Sequence, residues 1–139
     1  MPARSTLAPT TRPLDEKITI NIGGVDLGQI DLLVQEGFYA NRTDLIRTAI
    51  RNHLATHADV VKQAVARKTL VLGIQKFTAA DLLAVTKAGE RLDIRVLGLA
   101  SIAPDVTPEV ALAAINSVVV LGALHASPSV KAALASRIR

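Results

Sequence analysis

The segment Lys17-Ile18-Thr19-Ile20-Asn21-Ile22 limits what this chain can become more than any other part of it. Isoleucine alternates strictly with polar residues, the period of a strand with one apolar face and one wet face. Gly23-Gly24 ends the run, and the residues after it read as helix rather than a second strand. A lone strand leaves its backbone donors and acceptors without partners, and even a two-stranded piece is marginal unless its apolar face is covered. The simplest remedy is the same strand of a second copy, antiparallel across a two-fold axis. Ile18, Ile20 and Ile22 would then lie on helices, and Lys17, Thr19 and Asn21 would point outward.

Two helices are expected next. The first spans roughly residues 26–36, with Asp26 as its cap and Leu27, Ile30, Leu33 and Val34 on one face. Gly37 stands where a left-handed residue closes a helix. After the turn Phe38-Tyr39-Ala40-Asn41-Arg42, Thr43 is a good N-cap and Asp44 suits the positive end of the second helix. That helix is expected to run over residues 44–67. Leu45, Ile46, Ala49, Ile50 and Leu54 form its apolar stripe, and Ile46 and Ile50 are expected in the dimer core beside Ile18, Ile20 and Ile22.

Over about residues 14–57 the chain resembles the ribbon-helix-helix family of CopG- and Arc-like regulators. The resemblance is carried by the alternating strand, by residues 30–39 with Gly37-Phe38-Tyr39, and by the run from Asn41-Arg42-Thr43-Asp44 to Ala49-Ile50-Arg51. It implies a dimeric two-stranded ribbon, which fits a B-DNA major groove about 12 Å wide. It also implies base contacts from Lys17, Thr19 and Asn21, and phosphate contacts at Asn41, Arg42 and Thr43. The phosphate site has an independent physical reason, because free N–H groups and the helix dipole favour an anion there. Gly23-Gly24 departs from the pattern and loosens the joint between strand and helix.

The second half repeats a phrase. Val71-Leu72-Gly73, Val96-Leu97-Gly98 and Val120-Leu121-Gly122 recur at spacings of 25 and 24 residues. Each is followed by a helix-start signal, at Thr78, at Thr107-Pro108 and at Ser127-Pro128, and then by an Ala/Leu/Val helix. Strand and helix repeating at this period predict a small parallel sheet with helices on one side. The pattern is loosely similar to a leucine-rich-repeat solenoid, without that family's asparagine ladder. Such a stack has apolar open ends, so self-association or a protein partner is expected for residues 69–139.

Composition narrows the function. The net charge is +4, from 16 Lys/Arg against 12 Asp/Glu, and is spread over both halves; contact with phosphates is permitted but not demanded. With only Phe38, Phe77 and Tyr39 as aromatics, a base-stacking single-strand binder is disfavoured. There is no cysteine, which excludes disulfides and thiol nucleophiles. Residues 1–11 lack the apolar stretch of a secretory signal. Residues 110–130 carry no formal charge, but Asn116, Ser117, Gly122 and Pro128 interrupt them, and the repeat accounts for them better than a membrane span does. His53 and His57 share a helix face as half of a possible metal site, yet two ligands do not close one. Arg47 and Arg51, also four apart, could touch phosphate or pair with Asp44 and acidic neighbours, and a solvated face is the reading expected of such charges.

The chain is therefore expected to be α+β, with an arm at residues 1–13, a ribbon-helix-helix unit at 14–68 and a β/α repeat unit at 69–139. The expected function is sequence-specific binding of double-stranded DNA by a cytoplasmic, nucleoid-associated homodimeric regulator, most simply a repressor. No enzyme activity, cofactor or metal is expected. The alternatives are a self-assembling structural or DNA-organising protein whose repeat half polymerises, and an antitoxin.

Overall fold

The computed structural model describes residues 15–139, so the expected arm at residues 1–13 lies outside it. The described chain divides into two units, Asp15–Ala64 and Val65–Arg139.

In the first unit, residues 15–23 form no ladder within the single chain. Helix α1 is Gly24–Gln35, two residues earlier than expected, with Gly23 at its N-cap and no side-chain cap. Asp26 sits inside the first turn and does not cap it. The helix closes as its sequence requires: Gly37 has φ +86°. The Phe38 and Gly37 amides donate to the Leu33 and Val34 carbonyls, each at 3.0 Å.

Helix α2 is Arg42–Ala55 and helix α3 is Ala58–Lys68, where the sequence predicts one helix over residues 44–67. Thr56 makes the interruption. Its hydroxyl donates to the His53 carbonyl at 2.6 Å, and the Thr56 and His57 amides bond three residues back, at 3.1 and 3.0 Å, instead of four. Side-chain competition and a tight last turn end α2 there. The rings of His53 and His57 meet edge-to-face with centroids 5.2 Å apart.

The second unit follows the repeat. Strands β1 (Val71–Phe77), β2 (Leu92–Ile102) and β3 (Ile115–His125) form a parallel sheet in that order. Helices α4 (Ala79–Lys87), α5 (Pro108–Ala114) and α6 (Pro128–Leu134) follow the three strands, and a short 3-10 turn, Ala135–Arg137, follows α6. Thr78, Thr107 and Ser127 each accept from the third helical amide, and Pro108 and Pro128 stand in the first turns. At α4 the cap is reciprocal, since Asp81 accepts in turn from the Thr78 amide at 2.9 Å. The apolar stretch at residues 110–130 therefore becomes most of α5, all of β3 and the start of α6. No helix among the described residues is long and apolar enough to cross a membrane.

The core lies between the sheet and its helices. Ile94, Val96, Ala100 and Ile102 of β2 are buried against Leu82, Ala111, Val130 and Leu134 of the helices. Period two puts these strand residues on one face, so Leu97 and Leu99 point to the other.

The three Val-Leu-Gly phrases pair in register, with Gly73 opposite Gly98 and Gly98 opposite Gly122. All three glycines have positive φ, from +124° to +137°. A Cβ on Gly98 would stand 2.2 Å from the Gly73 carbonyl oxygen, and one on Gly122 would stand 2.0 Å from that of Gly98. Glycine recurs because the neighbouring strand's carbonyl fills the space a side chain would need. The far edge of β3 is partly covered: Ile138 bridges Val118 in parallel, and the Arg139 amide donates to the Val118 carbonyl at 2.9 Å.

Candidate nucleic-acid interface

The start of α2 is built by local chemistry. Asn41, not Thr43, is the N-cap: its side chain accepts from the Asp44 amide at 2.8 Å. Asp44 returns the contact by accepting from the Ala40 amide at 2.9 Å. The Leu45 amide donates to the Asn41 carbonyl at 3.2 Å, which leaves the amides of Arg42 and Thr43 open among the described residues. Thr43 becomes the second helical residue. An open cleft of about 310 Å³ lies here, lined by Asn41, Thr43, Asp44, Arg47 and Arg51.

Arg42 does not line it. Its guanidinium donates in bidentate fashion to Asp31 of α1, Nε at 2.7 Å and the terminal nitrogen at 2.8 Å. The hydrogen bonds from Arg42 hold the Asp31 carboxyl below its usual pKa, and Asp31 raises that of Arg42. The pair ties α1 to the start of α2, eleven residues away in sequence. The positive charge at the cleft comes instead from Arg47 and Arg51, one turn apart on α2. The Arg47 guanidinium stands 3.8 Å from the Asp15 carboxylate, too long for a hydrogen bond and open to screening. Among the residues lining the cleft, two guanidiniums face the one carboxylate of Asp44, itself occupied by the cap. The sequence leaves Arg47 and Arg51 either a phosphate contact or, as the expected reading, a solvated face, and the fold puts both in the lining of the cleft. The signal for this lies in their four-residue spacing from Thr43 and from each other.

Lys17, Thr19 and Asn21 are exposed, and so are Ile18 and Ile20, at 78% and 72% of their full accessible surface. Ile22, Ile46 and Ile50 are also exposed in the single chain. Among residues 15–64 none is buried. Among the described residues no group of three or more His, Asp or Glu converges as a metal site would require.

An exposed alternating segment, then two helices joined by a short turn, with a cationic cleft at the start of the second, is the element order of a ribbon-helix-helix protein. The chain belongs to the ribbon-helix-helix transcriptional regulator family, whose profile matches residues 13–131. The match takes in all three strands of the sheet and most of α6, so the repeat unit is part of what the family shares. DNA binding and transcription regulation follow from that membership. No curated protein and no solved structure matches the chain.

Proposed function

We propose that the protein acts as a homodimer whose paired residues 17–22 enter the major groove of its operator, and that it represses by occupying that site. The observation that carries this is the complete lack of buried residues in the unit at 15–64, set against the exposure of Ile18, Ile20, Ile22, Ile46 and Ile50. Burying an isoleucine contributes roughly 1.5–3 kcal/mol. Five such side chains in each of two copies make the monomer the costly state. Pairing residues 17–22 antiparallel with their twin satisfies the ladder and turns Lys17, Thr19 and Asn21 outward together.

In this reading the outward side chains read base edges, Lys17 favouring guanine and Asn21 adenine. A backbone phosphate sits at the start of α2, between the open amides of Arg42 and Thr43 and the guanidiniums of Arg47 and Arg51. Asn41 sets the geometry by capping, and Arg42 contributes its amide while its side chain braces α1.

The test is selection of bound duplexes followed by titration against salt. A preferred sequence should emerge, and Asn21→Ala should flatten the preference with little change in nonspecific affinity. Equal affinity for all duplexes, in a protein shown to be dimeric, refutes base reading by the ribbon.

A further inference from the structure

The repeat unit is unfinished at both ends. Stacked repeats hold a continuous core only where each meets a neighbour, and stable solenoids close their ends with polar caps. Here β1 exposes Leu72 at 67% and Ile74 at 54%, and Lys76 is its one charged residue. Among the described residues nothing pairs with its free edge. At the other end Leu121 of β3 is 50% exposed.

The glycine ladder states what fits there. At Gly98 and Gly122 the left-handed backbone receives the preceding glycine's carbonyl oxygen, where a Cβ would stand 2.2 and 2.0 Å from it. Gly73 has the same conformation, φ +128°, yet nothing lies within 4 Å of its Cβ position. It is a socket of the same kind without its carbonyl. The one ladder carbonyl without a strand beyond it is that of Gly122, on the opposite edge.

We propose that repeat units of different copies stack head to tail, with β3 of one copy adding in parallel to β1 of the next and the Gly122 carbonyl entering the Gly73 socket. The contact continues the interface that already joins β1 to β2 and β2 to β3. The register agrees. Residues 71–77 of β1 pair with residues 96–102 of β2, and the Gly98–Gly122 match makes residues 120–125 the equivalent stretch of β3. The cover supplied by Ile138 and Arg139 falls at Val118, short of that stretch. The second copy's α6 would then lie beside α4, where Leu83 is exposed, as α5 does within the chain. The interface is heterologous, so it does not close on a pair and extends to many copies.

The experiment is sedimentation velocity of the full chain over a concentration series without DNA. The wild type should gain mass with concentration beyond the unit that the N-terminal half sets. Leu72→Lys and Leu121→Lys, each charging one end, should each remove that gain while leaving far-UV circular dichroism unchanged. An equimolar mixture of the two should regain the concentration-dependent gain in mass, because each variant keeps one good end on every copy. Gly73→Ala should also block assembly, since its methyl would fill the socket. A Leu121→Lys protein that assembles like the wild type overturns the proposal in favour of β1 pairing with itself. A wild-type mass that does not change with concentration overturns it outright. Neither outcome depends on DNA binding, so this test and that of the operator reading fail separately.

Discussion

Replacing Gly98 by alanine tests the glycine ladder most directly. The new methyl carbon would stand 2.2 Å from the Gly73 carbonyl oxygen, 3.1 Å from its carbon and 3.4 Å from its nitrogen. All three atoms are backbone, so no side chain can swing away, and one strand must move. Overpacking of this kind costs about 1–3 kcal/mol. Alanine at φ +137° adds backbone strain of about 1–3 kcal/mol. The sum, about 2–6 kcal/mol, approaches the whole stability of a unit this size, roughly 4–11 kcal/mol at 0.05–0.15 kcal/mol per residue. Gly73→Ala is the matched control, with nearly the same φ and an empty Cβ position. It should lose only the strain. Both changes belong in a Leu121→Lys background, so that assembly does not contribute. Urea unfolding, followed by hydrogen exchange of the β2 amides, gives the two costs. Gly98→Ala should exceed Gly73→Ala by about 1–3 kcal/mol. Equal costs would refute the close approach as the reason for glycine at Gly98.

Three further outcomes are expected. Arg47→Ala and Arg51→Ala should each weaken binding to all duplexes about equally and lower the salt slope by about one, as loss of a phosphate contact does; an unchanged slope removes that residue from the phosphate site. Asn41→Ala should destabilise α2 by about 1 kcal/mol in thermal melts and disorder the cleft proposed to hold phosphate, so stability and nonspecific affinity should fall together. The hydrogen bonds that Asp93 accepts from Ser117 at 2.7 Å and Asn116 at 2.9 Å hold its carboxyl below the usual 3.8, and the Thr78 cap does the same for Asp81. A depressed folded pKa gives stability that is present above 3.8 and lost as pH falls through the lower folded value. Asp93→Asn should therefore be less stable than the wild type at neutral pH, with the gap closing in acid; a gap independent of pH would mean that charge plays no part.

Much of the fold is legible in the sequence because short-range rules carry it. The helix pair after Gly23 needs only period 3.6, whereas the alternating residues 17–22 form no ladder within the single chain. Three Val-Leu-Gly phrases at near-equal spacing predict a parallel sheet, and the structure pairs them residue for residue. The differences arise where two local signals compete. Asn41 and Thr43 are both good caps, and Asn41 prevails because its oxygen reaches the Asp44 amide while Ala40 completes the exchange. Thr56 reads as an ordinary helical residue until its hydroxyl turns back to the His53 carbonyl.

From sequence alone come the expectation that residues 17–22 pair with a second copy and the observation that the second half repeats, because both are statements about periodicity and unsatisfied surface. Where charge is used is not decided at that level. Arg42 has the position that the family resemblance gives to a phosphate contact, and only folding brings Asp31 against its guanidinium, leaving Arg47 and Arg51 at the cleft. Nor does the sequence say why each phrase ends in glycine. That reason exists only between strands, where a carbonyl from a residue some 25 positions earlier fills the place of the missing side chain. A contact of that length depends on register, and the sheet, not the local sequence, sets the register.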